Sequence, residues 1–196
     1  TKQLSVLLIV PFLVGCAQNA NPSLDDYVKE ISKDPSADFV ICSLQDLHLS
    51  SLSLIEEEFD YYERAIFSKG KLEGTNEKPD LIVLNGDIFM DTNKEVVKRF
   101  FKWIDGLDIP FAYTYGNHDL QNSYSNQFID KTVKACKNSY LSNPVDNVYG
   151  DANYVINMKK GSEVKWQVYI FDSNECCSTS SYNLFISRSN IKYIST

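Results

Sequence analysis

Three short apolar runs, each closed by polar residues, set the pattern of the first two thirds of the chain. Phe39 to Leu44 ends in Gln45-Asp46-Leu47-His48, Leu81 to Leu84 in Asn85-Gly86-Asp87, and Ile109 to Tyr115 in Gly116-Asn117-His118-Asp119. Runs of this length that hold β-branched residues predict buried strands. The unbroken Leu81-Ile-Val-Leu84 is of the kind covered on both faces in a parallel sheet. Between the runs the period lengthens: Phe59, Tyr62 and Ile66 fall on one face of a helix over 56–67, and Val96, Phe100 and Trp103 on one face of a helix over 92–104 capped by Thr92. A polar loop over 69–78 separates the first helix from the next strand. Strand, helix, strand, helix, strand predicts an α/β sheet with right-handed crossovers, and that topology puts all three polar endings on one edge.

Further along, 123–136 is compatible with another helix and 138–150 with a loop. Asn153 to Met158 and Val164 to Phe171 alternate with a two-residue period across Lys159-Lys-Gly-Ser162, which predicts an antiparallel hairpin. Left without partner strands, that hairpin would present an unpaired apolar edge and favour aggregation. Residues 187–196 read as a short tail helix. Ahead of the first strand, 25–33 reads as a surface helix with Ser23 as its cap, so the expected organisation is a tether and surface helix over 21–37 and the folded domain over 38–196. In residues 1–20, Lys2 precedes an apolar stretch from Leu4 to Cys16 that is too short to span a bilayer, the pattern of an export signal. Leu13-Val14-Gly15-Cys16 also resembles a bacterial lipobox, which would make Cys16 a lipidated mature N-terminus; ordinary cleavage near Ala20 is the alternative. Either way the protein is expected to be exported, lipid-anchored at the cell membrane or extracellular.

Composition narrows the chemistry. At 196 residues, 43% hydrophobic and 13% aromatic, the chain can bury one core of its own. A net charge of −7 argues against general affinity for nucleic acid or an anionic membrane, since both need a basic field. A phosphate substrate would need local positive charge, which bound divalent metals supply. The cysteines at 16, 42, 136, 176 and 177 form no Cys-x-x-Cys pair and exclude a zinc knuckle or disulfide scaffold. Cys42 reads as a small strand hydrophobe, and the adjacent Cys176 and Cys177 as free or separately paired thiols. Tyr113, Tyr115 and the aromatics near Tyr61 read as core.

The polar endings carry the candidate chemistry. Asp46 and His48, one residue apart, can face one site from an extended loop. Mixed carboxylate and imidazole donors suit iron, manganese or zinc better than calcium. Asp87 can offer one oxygen to each of two metals, and Asn117 a neutral oxygen to the second. His118, oriented by Asp119, is left to handle protons. Two ions about 3.5–4 Å apart would clamp a phosphoryl group and activate a hydroxide for in-line attack. Taken singly, each ending has an ordinary reading, as turn glycines and a capping carboxylate; three such endings at three strand tips make that reading inadequate.

Asp46-Leu-His48, Gly86-Asp87 and Gly116-Asn-His-Asp119 resemble, in order and spacing, the first three motifs of the calcineurin-like metallophosphoesterases. Tyr149-Gly-Asp-Ala-Asn-Tyr-Val155 with Phe171-Asp-Ser173 is similar to the purple-acid-phosphatase-type branch of that superfamily. The resemblance runs from about Asp38 onward and implies two packed sheets flanked by helices (α/β/β/α). It implies hydrolysis of phosphomonoesters or phosphodiesters by a hydroxide activated between two divalent or mixed-valence ions (Fe, Mn or Zn). By residue it places Asp46 and His48 on the first metal, Asp87 between the two, Asn117 on the second, and His118 as general acid with Asp119 behind it. Asp91 would stand outside the ligand set. The family pattern continues with one further histidine and a Gly-His-x-His segment, whereas this chain holds two histidines in all, His48 and His118. The resemblance is therefore to the N-terminal part of such a domain, C-terminally incomplete. The competing reading is a non-catalytic surface lipoprotein that keeps a degenerate form of the fold as a binding module.

Overall fold

The structure, a computed structural model, describes residues 27–69, 78–143 and 150–172. Its elements in chain order are β1 (Val28–Lys33), β2 (Ile41–Leu44), α1 (Leu52–Lys69), β3 (Leu81–Asn85), α2 (Lys94–Gly106), β4 (Phe111–Thr114), α3 (Asn117–Leu120), α4 (Asn126–Lys134), β5 (Tyr154–Lys160) and β6 (Glu163–Ile170). They form a mixed α/β fold with two three-stranded sheets, β2-β3-β4 and β1-β5-β6.

Leu81, Ile82, Val83 and Leu84 are apolar at every position, so the strand they form is stable only with both faces covered. All four are buried, and β3 lies between β2 and β4 in a fully parallel sheet with Ile41 opposite Leu81 and Ile82 opposite Phe111. Every residue of β4 is buried as well. The expectation of a buried strand fails at β2: among the described residues it forms the sheet edge, and Ile41 is 46% exposed. A short apolar run does not reveal whether its strand has one neighbour or two, which is why the sequence pattern misleads here.

Helix α2 closes one face of this sheet. Val96, Val97, Phe100, Phe101 and Ile104 are its buried stripe, and Phe89, Phe100, Phe101, Phe111 and Tyr113 meet in a chain of ring contacts 5.4–6.3 Å apart. Trp103 is half-buried and stacks on Phe59 of α1 with centroids 4.4 Å apart. On α1, Phe59 and Ile66 are buried and Tyr62 half-buried, while Tyr61 is 66% exposed and lies outside the core expected for it. The cap of α2 is Asn93, not Thr92. Asn93 Oδ1 accepts from the amides of Glu95 (2.9 Å) and Val96 (3.2 Å), whereas the buried Thr92 hydroxyl donates to Ser50 O. Either residue type caps well; the backbone decided between them by turning extended at position 93.

The second sheet pairs β5 and β6 as the predicted hairpin, turning at Gly161, and adds β1 parallel to β5 with Val28 opposite Val155. Residues 28–33, expected within a surface helix, are therefore a strand. Local pattern favours a helix through Val28 and Ile31, but β1 satisfies the backbone edge of β5, and Ile31 buries against the core while Lys159 pairs with Glu30 at 3.0 Å. Sheet β1-β5-β6 also completes the other one. The outward main-chain groups of β4 bond to Asn138 O, to the Tyr140 amide and, at Tyr113, to the Tyr154 hydroxyl, which accepts from Tyr113 N at 2.8 Å and donates to Tyr113 O at 2.9 Å. Thr114 Oγ1 adds a bond to Phe171 O.

Among the described residues β6 has one strand neighbour, and Val164, Trp166, Tyr169 and Phe171 are exposed along it. No described helix is long and apolar enough to cross a membrane. The leader through residue 20, most of the loop between α1 and β3, the tail helix over 187–196, and Cys16, Cys176 and Cys177 lie outside the described residues.

Because Asn93 alone supplies the side-chain cap of α2, Asn93→Ala is expected to lower folding stability by about 1 kcal/mol, and Asn93→Asp to restore most of it. Urea midpoints at constant slope would measure this, and an unchanged midpoint in the alanine variant would assign the cap elsewhere.

Candidate metal centre

Parallel strands β2, β3 and β4 deliver their C-terminal ends to one edge, and the loops that follow are laced together by backbone. Asp46 N donates to Gly86 O (3.1 Å), His48 N to Asp87 O (3.1 Å) and Leu49 N to Ile88 O (2.9 Å). Asp46, His48 and Asp87 take left-handed backbone angles, with φ of 53°, 49° and 51°. The extended loop expected at Asp46 and His48 is thus replaced by two left-handed residues. Asp, Asn and His tolerate this region better than most residues, and their use here turns side chains toward the neighbouring loop at some cost in strain.

Two glycines let the second and third loops touch. Gly86 has φ of 84°, and a Cβ there would lie 2.9 Å from Gly116 N. At Gly116 a Cβ would lie 2.2 Å from Asp87 Oδ1. Only a residue without a side chain leaves room for that carboxylate, whose Oδ1 accepts from the amide of His118 at 2.9 Å.

The outcome is a group of three donors. Asp46, His48 and Asp87 each offer a ligand atom, and these atoms lie within 4.8 Å of one another. Asp46 is exposed; His48 and Asp87 are half-buried. Donors of one ion at about 2.1 Å can be no more than roughly 4.2 Å apart, so a small side-chain adjustment closes the group around a cation. His48 Nδ1 is buried with no hydrogen-bond partner, the condition of a nitrogen that lacks its proper neighbour. Two carboxylates and an imidazole at this separation fit a divalent transition metal.

His118 lies beside the group, its ring centroid 5.0 Å from that of His48 at 72°. Asn117 is half-buried and opens the four-residue turn α3. Asp91, also at positive φ, is exposed and outside the donor group. The Asp119 oxygens accept from Phe89 N and Gly116 N, each at 2.9 Å, and make no hydrogen bond or ion pair with the His118 ring. Asp119 is 1% exposed, and burial pushes its pKa up to about 6 against the opposing pull of those two amides. Burial, and then the charge of Asp119, hold the Tyr113 and Tyr124 hydroxyls well above their ordinary range. Asp119 therefore fixes the turn that carries His118 rather than the imidazole itself.

Sequence reasoning passed over Asn122. Its Nδ2 donates to His118 O (2.9 Å) and Asp119 O (3.3 Å), and its Oδ1 accepts from Thr92 N (2.9 Å), tying the third loop to the second. An Asn four residues after the histidine is the one signal that pointed to it. Gln45 likewise receives the Asn85 side chain at 3.2 Å.

Comparison with known proteins gives the family. The sequence model of the family described as calcineurin-like phosphoesterase matches residues 44–186. The chain is 28% identical over 102 residues to an uncharacterized protein of Schizosaccharomyces pombe, C1020.05, covering 50% of this chain and 19% of that protein. It is 27% identical over 90 residues to the probable glycerophosphodiester phosphodiesterase GpdQ of Arcobacter nitrofigilis, covering 45% and 33%. The chain thus spans about a fifth of the first relative and a third of the second. No solved structure matches it significantly.

The raised pKa of Asp119 sets a pH dependence. Between its ordinary value of 3.8 and about 6 the folded state holds a proton that the unfolded state has released. Stability from this group is therefore complete below the lower value and falls as pH rises through the upper one, by roughly 3 kcal/mol in total. Asp119→Asn should flatten the loss of stability from about pH 4 to about pH 7, followed by urea unfolding in chelator. An undiminished slope in the variant would show that another group titrates.

Proposed function

The chain belongs to the calcineurin-like phosphoesterase family, which it matches over residues 44–186, and on that premise we propose that it is a metal-dependent phosphoesterase. The observation that carries the reading is the convergence of Asp46, His48 and Asp87 donor atoms within 4.8 Å at the ends of adjacent parallel strands. In this reading those three residues hold a divalent ion of iron, manganese or zinc. When bound, the ion supplies Lewis acidity and the positive charge that a chain of net charge −7 otherwise lacks for a phosphate ester.

The chain's own groups do the rest. The His118 imidazole, beside the donors, gives a proton to the departing alkoxide. Asp87 fixes the start of the His118 turn through its amide, Asp119 clamps the same turn to the Phe89 amide, and Asn122 holds its far end. Asn117 and the second oxygen of Asp87 are what the chain offers to a second ion of the kind the family typically uses. The finer assignments travel together: the purple-acid-phosphatase-type branch, the α/β/β/α sandwich from the two sheets, a domain over 38–196, and a leader that exports the chain and anchors it by lipid at Cys16. The similarity to the probable glycerophosphodiester phosphodiesterase of Arcobacter makes a phosphodiester the first substrate class to try.

One observation favours the second reading, a surface lipoprotein that binds without catalysis: the chain contains two histidines. The test is hydrolysis of aryl phosphate mono- and diesters by the full chain with manganese, iron or zinc. His118→Gln is expected to lower kcat by about 10²–10⁴-fold with bound metal unchanged. Folded protein that is metal-free and inactive toward both ester types would leave the binding module. Separately, Cys16→Ser should move the protein out of the membrane fraction, and unchanged fractionation would refute the anchor.

A further inference from the structure

We infer that the described residues of this chain, resting and without substrate, hold one metal ion rather than the pair typical of its family, at Asp46, His48 and Asp87. The inference rests on the metal-dependent reading above and concerns how many ions these side chains can keep.

Donor supply is the first argument. Among the described residues, Asp46, His48 and Asp87 form the one group of three or more histidine, cysteine or acidic side chains close enough to share an ion. Three protein donors with an open position is the usual count for a catalytic zinc-type site. A second ion would find Asp87 again and Asn117. Three other described carboxylates are already engaged. Asp119 is buried and both its oxygens accept from amides, of Phe89 and Gly116. Asp130 accepts from the Tyr115 hydroxyl, and Asp172 from the Asp151 amide. The Cys42 and Cys136 thiols do not join the donor group. His118 is the remaining imidazole of the two in the chain, and it does not join the donor group.

Charge is the second argument. Asp46 and Asp87 carry two negative charges between them, which one divalent ion neutralises. A second divalent ion next to the first would find no anionic donor beyond the shared Asp87 carboxylate and would face the repulsion of its neighbour. Geometry points the same way. Asp87 Oδ1 already receives the His118 amide at 2.9 Å, so the carboxylate cannot swing freely toward a second position without releasing the turn that carries His118. An ion held by one shared carboxylate and one amide oxygen has the ligand set of a weak, water-rich site.

The experiment is metal titration of the full 196-residue chain after chelator treatment, read by equilibrium dialysis with Mn²⁺ and by electron paramagnetic resonance of the loaded protein. The expected result is one manganese per chain with an uncoupled six-line spectrum. His48→Ala should abolish saturable binding, whereas Asn117→Ala should leave the stoichiometry at one and the affinity unchanged. Two ions per chain, a spin-coupled signal, or loss of half the bound metal in Asn117→Ala would overturn the inference while leaving the phosphoesterase reading intact. No saturable binding by the folded parent chain would overturn that reading and the inference with it. The parent stoichiometry and spectrum need no variant, so a misfolded substitution does not blunt the test.

Discussion

Asp87 Oδ1 accepts the amide of His118 at 2.9 Å, and room for that contact exists because residue 116 carries no side chain. The contact joins the second strand-end loop to the third. Asp46 N to Gly86 O and His48 N to Asp87 O join the first to the second. Through these bonds the three donors meet before any ion is present. A sheet edge alone would not achieve this, because adjacent strands stand about 4.8 Å apart and their following loops are free to diverge. The glycines at 86 and 116 act by letting backbone approach backbone; a methyl group at either would press on main-chain atoms or on the Asp87 carboxylate.

This closeness has an energetic cost. Left-handed angles at Asp46, His48 and Asp87 cost on the order of 1–3 kcal/mol each when the surroundings impose them. The interloop hydrogen bonds return about 1 kcal/mol apiece, more where a carboxylate accepts. Neither would persist on a soft support. The support is rigid because Leu81 to Leu84 of β3 and all of β4 are buried and α2 packs an aromatic cluster beneath them, while the Tyr154 hydroxyl serves β4 as a substitute strand neighbour. Strain at the sheet edge is thus borne by a close-packed core.

How legible this was depended on the range of the interaction. The periods that place β3, α1, α2 and the β5–β6 hairpin are local, and local pattern suffices for them. Donor convergence was legible for a related reason, since three endings on parallel strands must share an edge whatever their detailed angles. What stayed hidden was decided by partners far along the chain. Residues 28–33 are a strand because β5, more than a hundred residues later, offers an edge. Ile41 is exposed because β2 has a neighbour on one side among the described residues. Asn93 displaced Thr92 as cap by a choice of backbone angle that composition does not express. Asp119 illustrates the limit most clearly. From its place after His118 it reads as the carboxylate behind an imidazole, yet the same spacing also puts it at the third position of a helical turn, where it caps Gly116 and captures Phe89.

That capture has a consequence for the site. Asp119 is buried and pushed up to about 6, so near neutrality it is an anion held in place by two backbone amides. Its charge is answered by main chain rather than by a cation, and it therefore does not compete with Asp46 and Asp87 for one. Those two have no such clamp on both oxygens: Asp46 is exposed and Asp87 is bound to one amide. Of the three carboxylates at this edge, the two less satisfied ones are those whose oxygens lie at ligand spacing with the His48 ring, Asp46 Oδ1 standing 4.0 Å from its Nε2. Two incompletely satisfied carboxylates beside an imidazole leave a demand that a single cation among them would meet at once.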